Sequence, residues 1–398
     1  MAPPKKSKIR EQQLVGFKYF HKILRMLDRL HDTGCARDRA HNRQLHFDQY
    51  IALVLLYFFN PIVTSLRGMQ QASELKKVQR KLGVPRASLG SLSEAVRVFD
   101  SELLVGLIGQ LTEQLKPMRH DSRLDDVQGI LTLVDGSALA ALPRLTKAMW
   151  SNSSGKGLKL HTHFELLKNV PIRMDLTDGG GDERRQLKQT LLPDRVYVMD
   201  RGYASFDLFK AIESANSSFV CRMRDNSVYD VIEKRTLSDA DRDANIVSDQ
   251  LVSMNEGKTI IRLIRIKCTP HQKPYKIGRP PDLGPQQGDH LLIATNLTDA
   301  SLNADLVGLI YAKRWSIEIF FRFFKHVLGC RHLISHNANG IEIQTYCAII
   351  ACLLIALWTG CKPTLRTYEM ICFYFTGLAD EDELTTHLAR LAPSDQTR

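Results

Sequence analysis

Two short apolar runs that each end in an aspartate constrain the fold of this 398-residue chain more than any other feature. LTLVD occupies 131–135 and VYVMD occupies 196–200, and a glycine follows each aspartate within two residues. Runs of this kind predict buried strands. If the strands are parallel neighbours, Asp135 and Asp200 emerge side by side at the edge where open α/β sheets bind ligands. An aspartate before a glycine is also a common turn former, so either one alone is more often structural.

The segment YAKRWSIEIFFRFFKHVLG at 311–329 predicts a helix that is apolar around most of its circumference. At about 100° per residue, four polar residues share an arc of roughly 60°: Tyr311, Arg314, Glu318 and Lys325. This pattern is the reverse of a surface helix and predicts a buried helix with one polar stripe. The stripe is either a set of intrahelical ion pairs on a solvated edge or a surface that faces a charged ligand.

The charge of the chain favours a polyanionic partner. Lysine and arginine number 54 against 43 acidic residues, which gives a net charge of +11 and a pI of about 9.2. An excess of this size is most often directed at nucleic acid. The eight cysteines form no Cys-x-x-Cys pair, which indicates reduced thiols in an intracellular protein. The basic N-terminus has no apolar stretch behind it, so we expect no secretory signal.

Residues 11–118 show helical periodicity without a convincing strand. The run QYIALVLLYFF at 49–59 predicts an apolar helix that ends before Pro61. Two further helices are predicted at 65–75 and 91–104, separated by a Gly/Pro/Ser turn with basic residues nearby. They form either a helix-turn-helix-like DNA-binding module or plain helical packing with a solvated basic face.

From about residue 127 strand patterns take over, and helical periodicity returns at about 301. The order β, β, β, helix, β over 128–215 fits an α/β sheet, and 217–297 is mainly β. The longest apolar run, YCAIIACLLIALW at 346–358, has 13 residues. A run of that length is too short to cross a bilayer and predicts a buried core helix.

Asp135, Asp200 and Glu318 together predict a site for divalent cations. Adjacent carboxylates repel one another and need a cation between them. Mg²⁺ fits this requirement, because it prefers carboxylate oxygens and keeps positions for water and phosphate. Two ions held by three acids suit in-line phosphoryl transfer, in which one ion activates the attacking oxygen and the other stabilises the leaving oxygen.

The polar stripe supplies groups for a negatively charged substrate. Arg314 can bind a phosphate through two parallel hydrogen bonds, and Lys325 can neutralise another phosphate. Tyr311 can donate its hydroxyl, and Trp315 can stack on an unpaired base. We therefore expect these four residues to contact DNA, and two basic residues near the predicted site could also do so: Lys159 and Arg201.

The spacing Tyr311-x₂-Arg314-x₃-Glu318-x₆-Lys325 resembles the Y-x₂-R-x₃-E-x₆-K signature of bacterial insertion-sequence transposases of the IS-four family. LVDGS and MDRGY resemble the first and second catalytic Asp motifs of that family, and a tryptophan directly after the arginine is typical of it. The resemblance covers 127–335 well and extends more loosely to the helical N-terminus.

The resemblance implies an α/β fold with an RNase H-like catalytic core and a β-rich insertion. Asp135 on the first strand, Asp200 on the fourth and Glu318 on a later helix would be both the catalytic residues and the metal ligands. The implied divisions are a helical end-binding domain at 1–120, a catalytic domain in two parts at 127–216 and 298–340, the insertion at 217–297 and a helical C-terminal segment at 341–398.

The implied activity is cut-and-paste transposition that depends on Mg²⁺, with Mn²⁺ as a substitute. The enzyme would bind double-stranded terminal inverted repeats, cleave them and join the 3′ ends to target DNA. Pairing two ends implies at least a homodimer on DNA, in the bacterial cytoplasm at the nucleoid. Several members cut through a DNA hairpin, but His290 stands near the place where some relatives carry a second tryptophan, so that step stays open. The alternatives are a nuclease without strand transfer and a transposase-derived DNA-binding protein.

Two histidine-containing groups have spacings that could bind zinc: Cys330, His332 and His336, and the pair His161 and His163. Neither group has a complete second pair of ligands. We therefore expect both groups to be structural.

Overall fold

The computed structural model describes residues 23–33, 38, 43–139, 158–178, 180–254, 256–257, 259–268, 290–299, 302–329, 334–335 and 337–391. Its strands are β1 Ile130–Leu139, β2 Leu158–Glu165, β3 Val170–Asp178, β4 Arg195–Met199, β5 Ser218–Arg222, β6 Asp230–Lys234, β7 Ile246–Met254, β8 Thr259–Lys267 and β9 His290–Thr295. They form one nine-stranded sheet in the order β3-β2-β1-β4-β5-β9-β8-β7-β6.

The helices that follow a helical segment at 23–27 are α1 Leu30–Thr33, α2 Phe47–Phe59, α3 Leu66–Ser73, α4 Lys76–Leu82, α5 Leu89–Val98, α6 Leu103–Gln114, α7 Glu183–Gln189, α8 Phe206–Ser214, α9 Asp239–Asp243, α10 Ala304–Ala312, α11 Trp315–Gly329, α12 Ala338–Thr359, α13 Leu365–Thr376 and α14 Glu381–Ala389. Short 3₁₀ helices occupy Ser122–Asp126 and Arg201–Tyr203. The described residues before Ser122 are helical and contain no extended strand, as their periodicity predicts.

The helix predicted at 91–104 is wrong, because the chain there forms two helices, α5 and α6. The side-chain amide of Asn339 donates to the carbonyls of Val96 at 2.7 Å and Phe99 at 2.6 Å. Its oxygen accepts from the backbone N–H of Ser101 at 3.1 Å. A residue from the start of α12 therefore satisfies backbone groups at the break, a tertiary contact that local periodicity does not contain. The N-cap of α5 is Ser88, so the helix begins two residues before the predicted start at residue 91.

Strand directions divide the sheet into two parts. β1, β4 and β5 are parallel neighbours, while β2 runs antiparallel between β1 and β3. Beyond β5 the strands β9, β8, β7 and β6 alternate in direction and continue the same sheet. The prediction that 217–297 is mainly β is confirmed, since β5 to β9 lie within it.

The strand predicted to end at Asp135 is longer than predicted. β1 pairs with β4 only from Ile130 to Leu133, but its antiparallel pairing with β2 continues to Leu139. A partner on one side therefore keeps the chain extended through the Asp-Gly pair, although that pair is typical of a turn.

The long apolar helix α12 packs against α2, α6 and β3. Its 22 residues are apolar enough, by length and composition, to cross a membrane, but 89% of the apolar window is buried within the protein. The prediction of a buried core helix around 346–358 is therefore confirmed. Residues of α2, buried along most of its length, and of α12 belong to the same apolar core, which also covers one face of the sheet.

Candidate active site

The register of the sheet places two of the predicted acids at the same level. Leu133 of β1 pairs with Val198 of β4, and Asp135 and Asp200 each lie two residues further along their strands. Asp135 Oδ1 accepts from the backbone N–H of Gly136 at 2.8 Å. Asp200 Oδ1 accepts from the N–H of Gly202 at 2.8 Å and caps the 3₁₀ helix that follows β4. The expected parallel, adjacent strands are present, and local backbone bonds fix both carboxylates.

Arg314 connects the third acid to this edge. Its Nη2 donates to Glu318 Oε1 at 2.6 Å, and its Nη1 lies 3.9 Å from Asp135 Oδ2. The helix that carries Glu318, α11, packs against β1. One guanidinium therefore lies between two carboxylates that are far apart in sequence.

The single helix predicted over 311–329 is wrong at its start. α10 ends at Ala312 and α11 begins at Trp315, so Tyr311 and Glu318 lie on different helices. The reason is a local tightening from i+4 to i+3 bonding: the N–H of Arg314 donates to the carbonyl of Tyr311 at 3.0 Å, and that of Ser316 to Lys313 at 2.9 Å. Arg314 therefore lies at the junction of two helices, with its guanidinium carbon 6.0 Å from the centre of the Tyr311 ring.

The other two residues of the predicted DNA-binding set lie further from the acids. Trp315 is 54% exposed at the first position of α11. Lys325 is exposed on α11, about 10 Å along the helix axis from Glu318. Arg314 contacts the acids, Tyr311 lies beside the guanidinium of Arg314, and Lys325 is about two turns from Glu318.

A cavity of about 490 Å³ opens beside Arg314. Helical residues line one side, among them Tyr311, Arg314 and Trp315, and strand residues line the other, among them Ile266 and Leu291. The cavity therefore joins the α10–α11 junction to the antiparallel part of the sheet. His290 does not line it, although its neighbour Leu291 does.

The carboxyl of Asp135 is harder to ionise than an ordinary aspartate. Burial and, after it, the charge of Asp200 raise its pKa to about 7, while Arg314 and the Gly136 N–H act in the opposite direction. A carboxyl with this pKa is only partly ionised near neutral pH, and an added cation would favour its ionised form. The donor set consists of carboxylate oxygens, the ligands that Mg²⁺ and Mn²⁺ prefer. The residues present therefore fit a divalent cation.

Glu183, which no sequence pattern singled out, lies at the same edge. It is the first residue of α7, and Lys159 Nζ lies 2.8 Å from its Oε1. A Cβ at Gly136 would overlap the Glu183 carboxylate, so this side chain lies directly against the backbone that follows Asp135. The sequence signal was present as two acids directly after the GGG run at 179–181, but their distance of almost fifty residues from Asp135 concealed the contact.

The histidines of β2 have structural partners. Hydrogen bonds join His161 Nε2 to Thr177 Oγ1 at 2.7 Å and His163 Nε2 to Thr190 Oγ1 at 3.0 Å. Burial lowers the pKa of both, that of His163 to about 4. Both are therefore neutral, buried side chains, in agreement with the expected structural role. The other candidate zinc group lies outside the described residues.

Comparisons with known proteins place the chain among transposases. Residues 128–354 match the family model described as transposase DDE domain. A protein named as a transposase, y4zB, in Sinorhizobium fredii is 27% identical over 78% of this chain and 78% of its own length. A protein named as the transposase of IS5377 in Geobacillus stearothermophilus is 22% identical over 69% of this chain and 68% of its own.

A third relative, named as a transposase of IS4SA in Synechocystis, is 24% identical over 53% of this chain and 56% of its own length. The solved piggyBac transposase synaptic complex with hairpin DNA superposes with a TM-score of 0.38 and 12% identity, over 98% of this chain and 87% of that one. That score is too low to assign a fold. With more than half of its length matched by the family model, the chain belongs to the DDE transposases of insertion sequences.

Proposed function

We propose that the protein binds the terminal inverted repeats of its own insertion sequence and catalyses their metal-dependent cleavage and transfer to target DNA. The observation that supports this most is the arrangement of Asp135 and Asp200 at one level of two parallel strands, with Arg314 linking Asp135 to Glu318. We assign the three acids as catalytic residues and metal ligands. We further propose that the protein acts as a dimer or larger assembly on paired ends, at the nucleoid of the bacterial cytoplasm.

An RNase H-like core is part of the same proposal. In the order β3-β2-β1-β4-β5 only β2 runs against the other strands, and helices α7 and α8 flank β4 in the chain. We therefore propose a core built from 127–216 and 298–340 with β5 added to its first part, an insertion over the rest of 217–297, end binding by 1–120 and a C-terminal segment at 341–398. The parallel pairing of β5 with β4 favours an insertion that begins after Arg222.

The cation and the side chains have separate tasks in this mechanism. Bound Mg²⁺ or Mn²⁺ would lower the pKa of the attacking water or 3′-hydroxyl and neutralise charge on the leaving oxygen. Asp135 would release a proton when a cation binds, because its pKa lies near 7 without one. Asp200 needs no rearrangement, since the Gly202 N–H already fixes one of its oxygens. Arg314 would neutralise the remaining charge at this edge and bind a phosphate of the DNA end.

We assign DNA contacts to four side chains. Arg314 lies next to Asp135, the Tyr311 ring lies beside Arg314, Trp315 is exposed at the next position along the chain, and Lys325 is exposed further along α11. A net charge of +11 supports binding of the phosphate backbone around this site. The selectivity for the element's own ends would come from other contacts, including those of the helical N-terminal region.

The cavity beside Trp315 supports a second, finer proposal, that it accepts an unpaired base during a hairpin step. Its volume of about 490 Å³ and its aromatic and apolar walls suit a planar ring. A DNA end with 2-aminopurine at the terminal positions tests this, because the fluorescence of that base rises when it leaves the stack. Because stacking on the Trp315 ring would quench this fluorescence again, a signal that is higher with Trp315→Ala than with the wild type supports the assignment, and equal signals from two cleavage-competent proteins contradict it.

The experiment that tests the main proposal uses purified protein, Mg²⁺ and a labelled DNA fragment spanning one end of the element, resolved on a denaturing gel. A Mg²⁺-dependent break at the element boundary, absent in Glu318→Ala, would support it. A snap-back product would show the hairpin step. Breaks without joined products when target DNA is present would favour the nuclease. Binding without any break, under conditions that let two ends pair, would favour the DNA-binding relic.

A further inference from the structure

The carboxylate of Glu183 lies between the backbone segments that follow Asp135 and Asp200. A Cβ added at Gly136 would overlap this carboxylate, and one added at Gly202 would lie 3.6 Å from Glu183 Oε2 and 3.0 Å from Asp200 Oδ1. Gly136 therefore leaves room for this side chain, while position 202 lies at ordinary van der Waals distance from it. A larger residue at 136 would require the Glu183 side chain to shift.

Lys159 holds Glu183 from the neighbouring strand β2. Its Nζ lies 2.8 Å from Glu183 Oε1 and donates to the carbonyl of Gly181 at 3.3 Å. The two side chains are 22% and 23% exposed, so water reaches the pair. A pair of this kind contributes little to stability. Stability therefore gives a weak reason for the close approach of Glu183 to Gly136.

Glu183 is electrostatically part of the acid edge. Its charge contributes to the raised pKa of Asp135. The hydroxyl of Tyr203 is affected in the same way: burial raises its pKa well above the usual range, and the charges of Glu183, Asp135 and Asp200 add to the shift. Three carboxylates therefore act on one buried hydroxyl, which agrees with the positions found from the glycines.

We propose that Glu183 is a fourth carboxylate of the metal site, either as a direct ligand or through a bound water, and that Lys159 is its counter-charge while no cation is bound. The inference rests on the proposed function, since it extends the metal site of Asp135, Asp200 and Glu318. It assigns opposite effects to the two members of one ion pair: Glu183 favours a cation, and Lys159 disfavours it. An ion pair with only a structural role would not separate its members in this way.

The experiment measures binding of Mn²⁺ alone to the full chain without DNA, from the electron paramagnetic resonance signal of free Mn²⁺. Glu183→Gln should weaken binding by about 10- to 100-fold, the range found when groups that support metal ligands are removed. Lys159→Met should strengthen it about fivefold, because a positive charge near the divalent cation is lost. Exposed residues of α8 provide matched controls, Glu213→Gln and Lys210→Met, which should leave the affinity unchanged.

The variants also separate the inference from the proposed function. If Asp135→Asn weakens Mn²⁺ binding and Glu183→Gln does not, the inference is wrong and the proposed three-acid site stands. If neither variant changes binding, the proposed site itself fails. Thermal melting in EDTA checks that each variant folds. If Glu183→Gln does not fold, the direction in which Lys159→Met changes the Mn²⁺ affinity tests the inference. Unchanged or weaker Mn²⁺ binding in Lys159→Met would overturn the assignment of Lys159 as the counter-charge.

Discussion

Two acids of the same sheet are neutralised to very different degrees. Asp249 on β7 receives two hydrogen bonds from Arg262 on β8, at 2.9 and 2.7 Å, and the side chains are 6% and 2% exposed. Asp135 on β1, 19% exposed, has its nearest guanidinium nitrogen, that of Arg314, at 3.9 Å. Arg262 also donates to the carbonyl of Leu297 at 3.2 Å, so its guanidinium has hydrogen-bond acceptors as well as a paired charge.

We interpret this difference as the one between a structural acid, Asp249, and the catalytic acid that we propose, Asp135. A buried carboxylate that only supports the fold needs a complete partner, because an uncompensated buried charge is costly. The partner of Asp249 comes from the adjacent strand. Arg314 gives its shorter contact to Glu318 instead, and Asp135 keeps a pKa of about 7. Incomplete neutralisation within an otherwise well-paired sheet indicates a place for a cation from solution.

The largest expected effect is the loss of DNA cleavage when an acid of the site is replaced. Asp135→Asn, Asp200→Asn and Glu318→Gln should each lower the rate by about 10⁴-fold, equivalent to ~5.5 kcal/mol in the activation barrier. Each variant keeps the shape of the side chain and removes a metal-binding charge. Single-turnover cleavage of an intact element end measures this rate, and a gel shift checks that each variant still binds DNA. Asp207→Asn, at an aspartate that is 88% exposed on α8, is the control. Cleavage at the normal rate in Asp135→Asn would show that the site is misplaced.

The second prediction concerns the well-neutralised acid. Arg262→Met should lower the free energy of unfolding by about 3–5 kcal/mol, because Asp249 would remain buried without its partner. Urea unfolding followed by circular dichroism measures this loss. The double variant Asp249→Asn with Arg262→Met should recover part of it, since no charge is left in the interior. A single variant as stable as the wild type would remove the contrast between the two acids.

The sequence predicted those features of the site that depend on local pattern. Apolar runs identified β1 and β4, and the prediction that Asp135 and Asp200 follow parallel neighbouring strands is confirmed, because the register carries both to one level. Helical spacing also placed Arg314 next to Glu318, since an i, i+4 pair meets on any helix. The N-terminal helices, the β-rich middle and the buried helix α12 followed from periodicity in the same way.

Features that depend on tertiary contacts were not predictable. The break between α5 and α6 requires Asn339, more than two hundred residues away. The break at Lys313 and Arg314 has no glycine or proline to signal it, and the contact of Glu183 with Gly136 appears only when α7 is placed on the sheet. Periodicity describes which face of an element is apolar, but it contains no information on which distant side chain meets that face.

The third prediction tests the raised pKa of Asp135 through stability. Its pKa in the folded protein, about 7, exceeds the ordinary 3.8, so the folded state binds more protons than the unfolded chain between these values. Stability of the wild type relative to Asp135→Asn should therefore fall as the pH rises from about 4 to 7. In EDTA at pH 8 the variant should be more stable by about 2 kcal/mol, less than the full shift implies, because the side chain is partly exposed.

Thermal melting in EDTA at pH 5 and pH 8 measures this difference. Excess Mg²⁺ should raise the melting temperature of the wild type at pH 8 and leave the variant nearly unchanged, since a ligand stabilises only the form that binds it. An equal difference between wild type and variant at both pH values would mean that Asp135 titrates normally and is as well neutralised as Asp249.

The smallest expected effect is on DNA binding by Arg314→Ala. Loss of one phosphate contact should weaken binding to the element's end about fivefold, or ~1 kcal/mol, and reduce the slope of log affinity against log salt by about 1. Fluorescence anisotropy in Ca²⁺ or EDTA over a series of salt concentrations measures both values without cleavage. Arg366→Ala, at an exposed arginine of α13, should change neither value.

Arg314→Ala also removes the positive charge between Asp135 and Glu318. This variant should therefore bind Mn²⁺ more tightly while it binds DNA more weakly. An unchanged salt slope with tighter Mn²⁺ binding would assign Arg314 to the acids alone, and Asp135 would then resemble Asp249 more closely than the 3.9 Å contact indicates.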